Sequence, residues 1–222
     1  YLPQFHQIPE NDTWWGEGFT EWTNTRASKS AHRIRTAPKT PHESLGYYDL
    51  SNPKIMREQA AQAEAFGLQG FCFYFYWFGG KTLLELPVQN YFANDDIKFP
   101  FMLCWANENW TRTWDGLDQE VLISQNYSAQ DDIDFISYVS KYLMAPTYIR
   151  IDNKPVLMVY RAEQLPNAHA TAKRWREWCQ SNGVGDIYLM GCWSFAHYDP
   201  REIGFDAALI TAPVGENVPS IE

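Results

Sequence analysis

Gly70-Phe71-Cys72-Phe73-Tyr74-Phe75-Tyr76-Trp77 is a run of eight residues with no charge and no alternation of apolar with polar. A strand with one wet face alternates, so a run apolar throughout suits a strand buried on both faces, as in a parallel sheet covered by helices. Short aromatic or β-branched runs of the same kind lie at 1–5, 101–105, 155–160, 187–193 and 207–211. Helical patterns fall between them. Ser51-Asn52-Pro53 is a helix start, a polar cap followed by a first-turn proline, and that helix reaches Phe66 and stops at Gly67. Two more are read at 128–144 and 168–181, and a weaker one at 83–92, interrupted by Pro87. Strand alternating with helix is the α/β pattern. No G-x-G-x-x-G or Walker motif follows any strand, so a dinucleotide-binding doubly wound sheet is disfavoured. The expectation is a single-domain (β/α)8 TIM-type barrel, incomplete here, with about six of its eight strands present. Both ends, Tyr1 and Glu222, read as cut from a longer chain. The segment 27–48 reads as a long loop.

Composition narrows the function classes. The 222 residues carry a net charge of -9 with 18 Lys+Arg, which disfavours binding to a phosphate backbone and so to nucleic acid. No apolar run approaches the length of a membrane helix. The four cysteines form no C-x-x-C pair, and Cys72, Cys104 and Cys192 sit in apolar runs, as buried thiols do. They point to a reducing compartment, hence a cytoplasmic location. No metal-ligand pattern and no cofactor motif is visible.

The excess is aromatic: 10 Trp, 13 Tyr and 13 Phe. Eight of the tryptophans fall at strand C-terminal ends or in the loops just after: Trp14, Trp15, Trp22, Trp77, Trp105, Trp110, Trp114 and Trp193. In a parallel barrel those ends form the face that carries the active site. Flat rings there stack on the C–H faces of sugars, and polar side chains between them bind hydroxyls. Interleaved with Glu and Asn, these rings predict a carbohydrate groove. Its candidate residues are His6, Trp15, Glu21, Trp22, Tyr76, Trp77, Trp105, Asn107, Trp110, Tyr160, Arg161 and Trp193. Glu108, just past a strand and among aromatics, is the candidate catalytic carboxylate, with sugar binding or loop ordering as its other readings. Arg161 suits a carboxylate, a phosphate or an acidic partner.

Several strings together resemble one family: Tyr1-Leu2-Pro3-Gln4-Phe5-His6, Asn11-Asp12-Thr13-Trp14-Trp15-Gly16, Gly18-Phe19-Thr20-Glu21-Trp22-Thr23-Asn24, Gly46-Tyr47-Tyr48-Asp49-Leu50 and Trp105-Ala106-Asn107-Glu108-Asn109-Trp110-Thr111. With the 70–77 run they resemble the WbsX family over nearly the whole chain. That family is called a glycosyltransferase of surface-polysaccharide (lipopolysaccharide) biosynthesis and also glycoside hydrolase family 99-like. The resemblance implies a barrel related to endo-acting α-mannosidases and an oligosaccharide or polysaccharide substrate. Family 99 hydrolases are retaining, with their glutamates in a late Asn-Glu-Trp-x-Glu-Gly type motif. No such string occurs here, and neither Asn107-Glu108-Asn109-Trp110 nor Gly215-Glu216-Asn217 matches it. The resemblance therefore implies that the catalytic pair lies past residue 222 and that the residues present bind sugar. The competing expectation is a non-catalytic carbohydrate-binding barrel.

Overall fold

The structure is a computed structural model that describes residues 1–28, 40–112, 117–193 and 198–210. The chain forms two compact units, Tyr1–Gln69 with Leu84–Phe99, and Gly70–Leu83 with Pro100–Glu222.

The first unit is helical. It contains α1 (Pro9–Trp15), α2 (Glu21–Ser28), α3 (Pro53–Ala65) and α4 (Leu86–Phe92). The expected first strand at 1–5 is absent. Pro3 has no N–H for a ladder, and the carbonyls of Pro3, Gln4 and Phe5 are taken by His6 Nδ1, the Glu21 N–H and the Leu50 N–H. The stretch after it, expected as loop, is helical because Pro9 sits in the first turn of α1, a position that tolerates a missing donor. Pro87 does the same for α4, so it starts that helix instead of interrupting it. The α3 start is as read: the Asn52 side chain accepts from the Lys54 N–H.

The second unit holds β1 (Phe71–Phe78), β2 (Lys81–Leu83), β3 (Phe101–Trp105), β4 (Trp110–Arg112), β5 (Leu117–Ile123), α5 (Ala129–Leu143), β6 (Arg150–Ile151), β7 (Lys154–Val159), α6 (Ala168–Ser181), β8 (Tyr188–Cys192) and β9 (Ala207–Leu209). The main sheet runs β2-β1-β3-β7-β8-β9, with β6 hairpinned onto β7. Strands β1, β3, β7, β8 and β9 are parallel neighbours in chain order. A doubly wound sheet reverses its order at a switch point; this one does not. The fold is α/β, and among the described residues the sheet is open rather than closed into a barrel. Gly70 cannot carry a side chain, because a Cβ there would meet the Pro100 carbonyl and Ile149 at 2.8 Å where β1 enters the sheet.

Helices α5 and α6 cover one face. Asp132 is their clasp: its carboxylate accepts from Thr171 at 2.9 Å and Arg174 at 2.5 Å, and its carbonyl accepts from the Trp175 indole at 2.9 Å. Side chains alternate along each strand. Phe73, Phe75, Trp77, Leu103, Trp105, Leu157 and Val159 form the side that carries the ring contacts to the helices. Phe75 meets Phe135, Tyr138 and Tyr142, and Trp105 stacks on Phe135 at 4.5 Å and lies 5.9 Å from Trp175. The opposite parity presents Cys104, Met158 and Cys192, with Cys72, Tyr74, Met102, Tyr160 and Met190 packed beside them and part-exposed.

Candidate functional site

The sequence candidates divide between the two units. In the first, His6 is 1% exposed and its Nδ1 lies 2.7 Å from the Pro3 carbonyl. A carbonyl only accepts, so Nδ1 carries the proton and Nε2 is a bare acceptor. Nε2 is buried and has no hydrogen-bond partner among the described residues. Burial holds the ring's pKa below its ordinary value, against the pull of the Pro3 carbonyl and Asp49. Glu21 opens α2, and burial raises its carboxyl pKa. Trp22 is committed to packing: its indole donates to the Tyr48 carbonyl at 2.8 Å, and Phe5, Tyr47 and Tyr48 lie 4.6–5.2 Å from its ring. Trp15 ends α1, half-buried against Phe19.

In the second unit the C-terminal strand ends gather a different set. Tyr76 has the parity opposite to the helices, and its ring meets Trp110 edge-on at 5.0 Å, with Phe78 6.0 Å from the same indole. Trp110 is half-buried at the start of the β4–β5 hairpin. Just past β3, Asn107 is 0% exposed. Its Oδ1 accepts from the Arg161 N–H at 2.8 Å, and its Nδ2 donates to the Arg161 carbonyl at 2.9 Å and to the Tyr127 hydroxyl at 3.1 Å. Tyr127 in turn donates to the Asn107 carbonyl at 2.7 Å, and burial pushes its pKa to about 12. The side chain thus mimics a strand partner for the loop after β7.

That loop presents Arg161. Its Nη1 donates to Glu108 and its Nε to Glu163, so one guanidinium joins two carboxylates. Burial works against the Arg161 charge, but the Glu163 and Glu108 contacts outweigh it and the pKa is raised. Tyr160, one step earlier, packs edge-on against Tyr74 at 5.4 Å, its pKa raised by burial and then by Glu108. Trp193 follows β8, with Tyr198 6.3 Å away. These two rings line an open groove of about 580 Å³ with Asp199, Pro200, Arg201 and Asp206.

Besides His6, three sequence candidates are buried more deeply than Tyr76, which is itself 8% exposed. Trp77 is 3% exposed and donates its indole N–H to Asp131, and Trp105 is 0% exposed under α5 and α6. Both ride the helix-facing parity of their strands, one residue out of phase with Tyr76. Asn107 has its amide consumed by the loops it ties. Conversely, sequence reasoning missed Glu163 and Tyr127. Glu163 follows Arg161 by two residues, and Tyr127 sits just before the Ser128 cap of α5, so each had a local signal but no indication of its partner. Trp114, His197 and Glu216 lie outside the described residues.

The WbsX glycosyltransferase family description matches residues 1–221. The chain belongs to the WbsX family. WxcX of Xanthomonas campestris pv. campestris strain B100, a protein described as uncharacterized, is 51% identical over 221 residues; the match covers 100% of this chain and 32% of that protein. The counterpart from a second strain of the same pathovar gives the same figures. This WbsX chain therefore spans about a third of the curated relatives it matches. In fold it is similar to the glycoside hydrolase family 99 endo-α-mannosidase of Bacteroides thetaiotaomicron, with TM-score 0.54, 14% identity, 94% of this chain and 58% of that one covered. The same enzyme in complex with BIS-TRIS propane gives TM-score 0.51, 16% identity and coverage of 74% and 48%. At those identities the likeness concerns the fold. Among the described residues, no group of three or more His, Cys, Asp and Glu side chains is placed to hold a metal ion, and no helix is long and apolar enough to cross a membrane.

Proposed function

We propose that the chain is part of a carbohydrate-active enzyme that acts on glycosidic bonds of a polysaccharide, as a family 99-like hydrolase or a WbsX-type transferase. The observation that carries this reading is the placement, at the strand C-terminal ends of the second unit, of the half-buried Trp110 ring, backed by the buried rings of Tyr76 and Phe78, and of the carboxylates Glu108 and Glu163. Rings offer an apolar platform for sugar C–H faces, and carboxylates take hydroxyl donors. Family membership and the fold likeness to an endo-α-mannosidase support the same class. The singly wound strand order suits a (β/α)8 barrel, completed by the remainder of the full-length protein.

Glu108 is a binding residue in this reading rather than the proton-transfer group, because it accepts from Arg161 and is not arranged as a donor. The catalytic carboxylates then belong to the part of the protein outside this chain. One observation favours the non-catalytic alternative: both carboxylates identified at these strand ends are engaged by one arginine. Product analysis decides between the two. The full-length protein is incubated with α-mannose-containing polymers, with and without activated sugar donors, and products are separated by mass. Chain cleavage or extension supports an enzyme. Glycan binding without turnover, lost in Trp110→Ala, supports the binding module. Neither binding nor turnover removes the carbohydrate reading.

A further inference from the structure

Resting on that reading, we propose that Glu108 and Glu163 form a two-carboxylate clamp, spaced by Arg161, that selects uncharged sugars and rejects acidic ones. Glu163 lies in the 3-10 turn Ala162–Gln164 after β7, and Glu108 lies after β3, on neighbouring parallel strands. Arg161 engages one oxygen of each, Oε1 through Nη1 for Glu108 and Oε1 through Nε for Glu163. The second oxygen of each carboxylate has no hydrogen-bond partner among the described residues. The side chains of Glu108, Arg161 and Glu163 are 40%, 19% and 23% exposed, so Glu108 is the open arm of the clamp and Glu163 is half-buried like the bridge.

The bridge also has a fixed base. Asn107 binds both backbone polar groups of Arg161, so the guanidinium starts from a defined position. With its Nη1 and Nε already directed at carboxylates, Arg161 is poorly placed to receive a substrate anion. Two carboxylates and one guanidinium leave one net negative charge at this point. The nearby hairpin does not offset it, because Arg112 is paired with Glu120. Sugar hydroxyls donate to the outer carboxylate oxygens, and charge-assisted hydrogen bonds of that kind are stronger than neutral ones. A uronate or phosphorylated sugar in the same place meets like charge in a part-desolvated setting, where repulsion at contact range is worth about tenfold in affinity or more.

The test titrates the full-length protein with α-linked mannobiose and with its uronate counterpart, at about 20 mM and about 150 mM salt, the latter screening over roughly 8 Å. The neutral disaccharide is expected to bind at least about tenfold more tightly at low salt, with the gap narrowing at higher salt. Glu163→Gln is expected to weaken the neutral sugar by about threefold to tenfold and to strengthen the uronate, two changes of opposite sign that simple loosening of a loop does not produce. Glu177→Gln, the same charge change on an exposed position of α6, is expected to alter neither. Equal or tighter uronate binding by the unaltered protein, or equal effects of the two substitutions, overturns the clamp and leaves the sugar reading standing. If the unaltered protein binds neither disaccharide, the sugar reading fails and the clamp with it.

Discussion

Removing the Asn107 side chain separates a residue that contacts sugar from one that builds the loops around it. In Asn107→Ala three hydrogen bonds disappear, at 2.8, 2.9 and 3.1 Å, from a side chain with no exposed surface. Each is worth about 1 kcal/mol net, and a buried group left unmatched costs about 1–3 kcal/mol more. Water can reach part of the vacated space beside half-buried Arg161, so the expected total is about 3 kcal/mol. The assay is urea unfolding followed by tryptophan fluorescence, with the midpoint shifting at constant slope. Asn107→Asp refines the test. It keeps an acceptor for the Arg161 N–H but turns a second oxygen toward the Arg161 carbonyl and the Tyr127 hydroxyl. Folding then favours the protonated acid, so the folded pKa lies above the unfolded value of about 3.9. Stability is closest to wild type below about pH 4 and is lost as pH rises through the folded pKa. A loss under about 0.5 kcal/mol for the alanine variant, together with abolished glycan binding, would refute this reasoning and make Asn107 a direct sugar ligand.

Trp105→Ala should destabilise by about 3–5 kcal/mol through the cavity under α5 and α6, while the fraction that remains folded binds glycan as before; calorimetry and titration check both halves. Asp132→Ala should cost about 3 kcal/mol or more in denaturant unfolding, since it leaves Arg174 and Thr171 without their shared acceptor at the α5–α6 clasp. His6 should titrate below its ordinary 6.5 by NMR, with Nδ1 protonated in the neutral ring. A depressed histidine favours the neutral ring in the fold, so its contribution is fully present above pH 6.5 and is lost as pH falls through the folded value. His6→Phe should flatten that acid limb, and an unchanged limb would count against a buried neutral His6.

Five of the six strand runs and the three strong helical patterns were legible because each is local. An unbroken apolar run such as 71–78 needs cover on both faces wherever it lies, and Ser128 or Asn52 caps a helix with its own side chain. The run at 1–5 failed for a reason that is not local: its carbonyls found partners at Glu21 and Leu50, so no ladder was needed. The tryptophans show the same divide. Their placement near strand ends follows from counting along the chain, whereas the contact of Trp110 with Tyr76 does not. Which way a ring points depends on strand parity, and parity is set only when helices choose a face of the sheet. That choice buried Trp77 and Trp105 beneath α5 and left Tyr76 on the other side. The Glu108–Arg161–Glu163 bridge is likewise a product of register between β3 and β7, which brings residues more than fifty positions apart within reach of one guanidinium. A strand's need for burial is written in its composition, but the direction of its side chains and the partners of its charges exist only once the sheet is assembled.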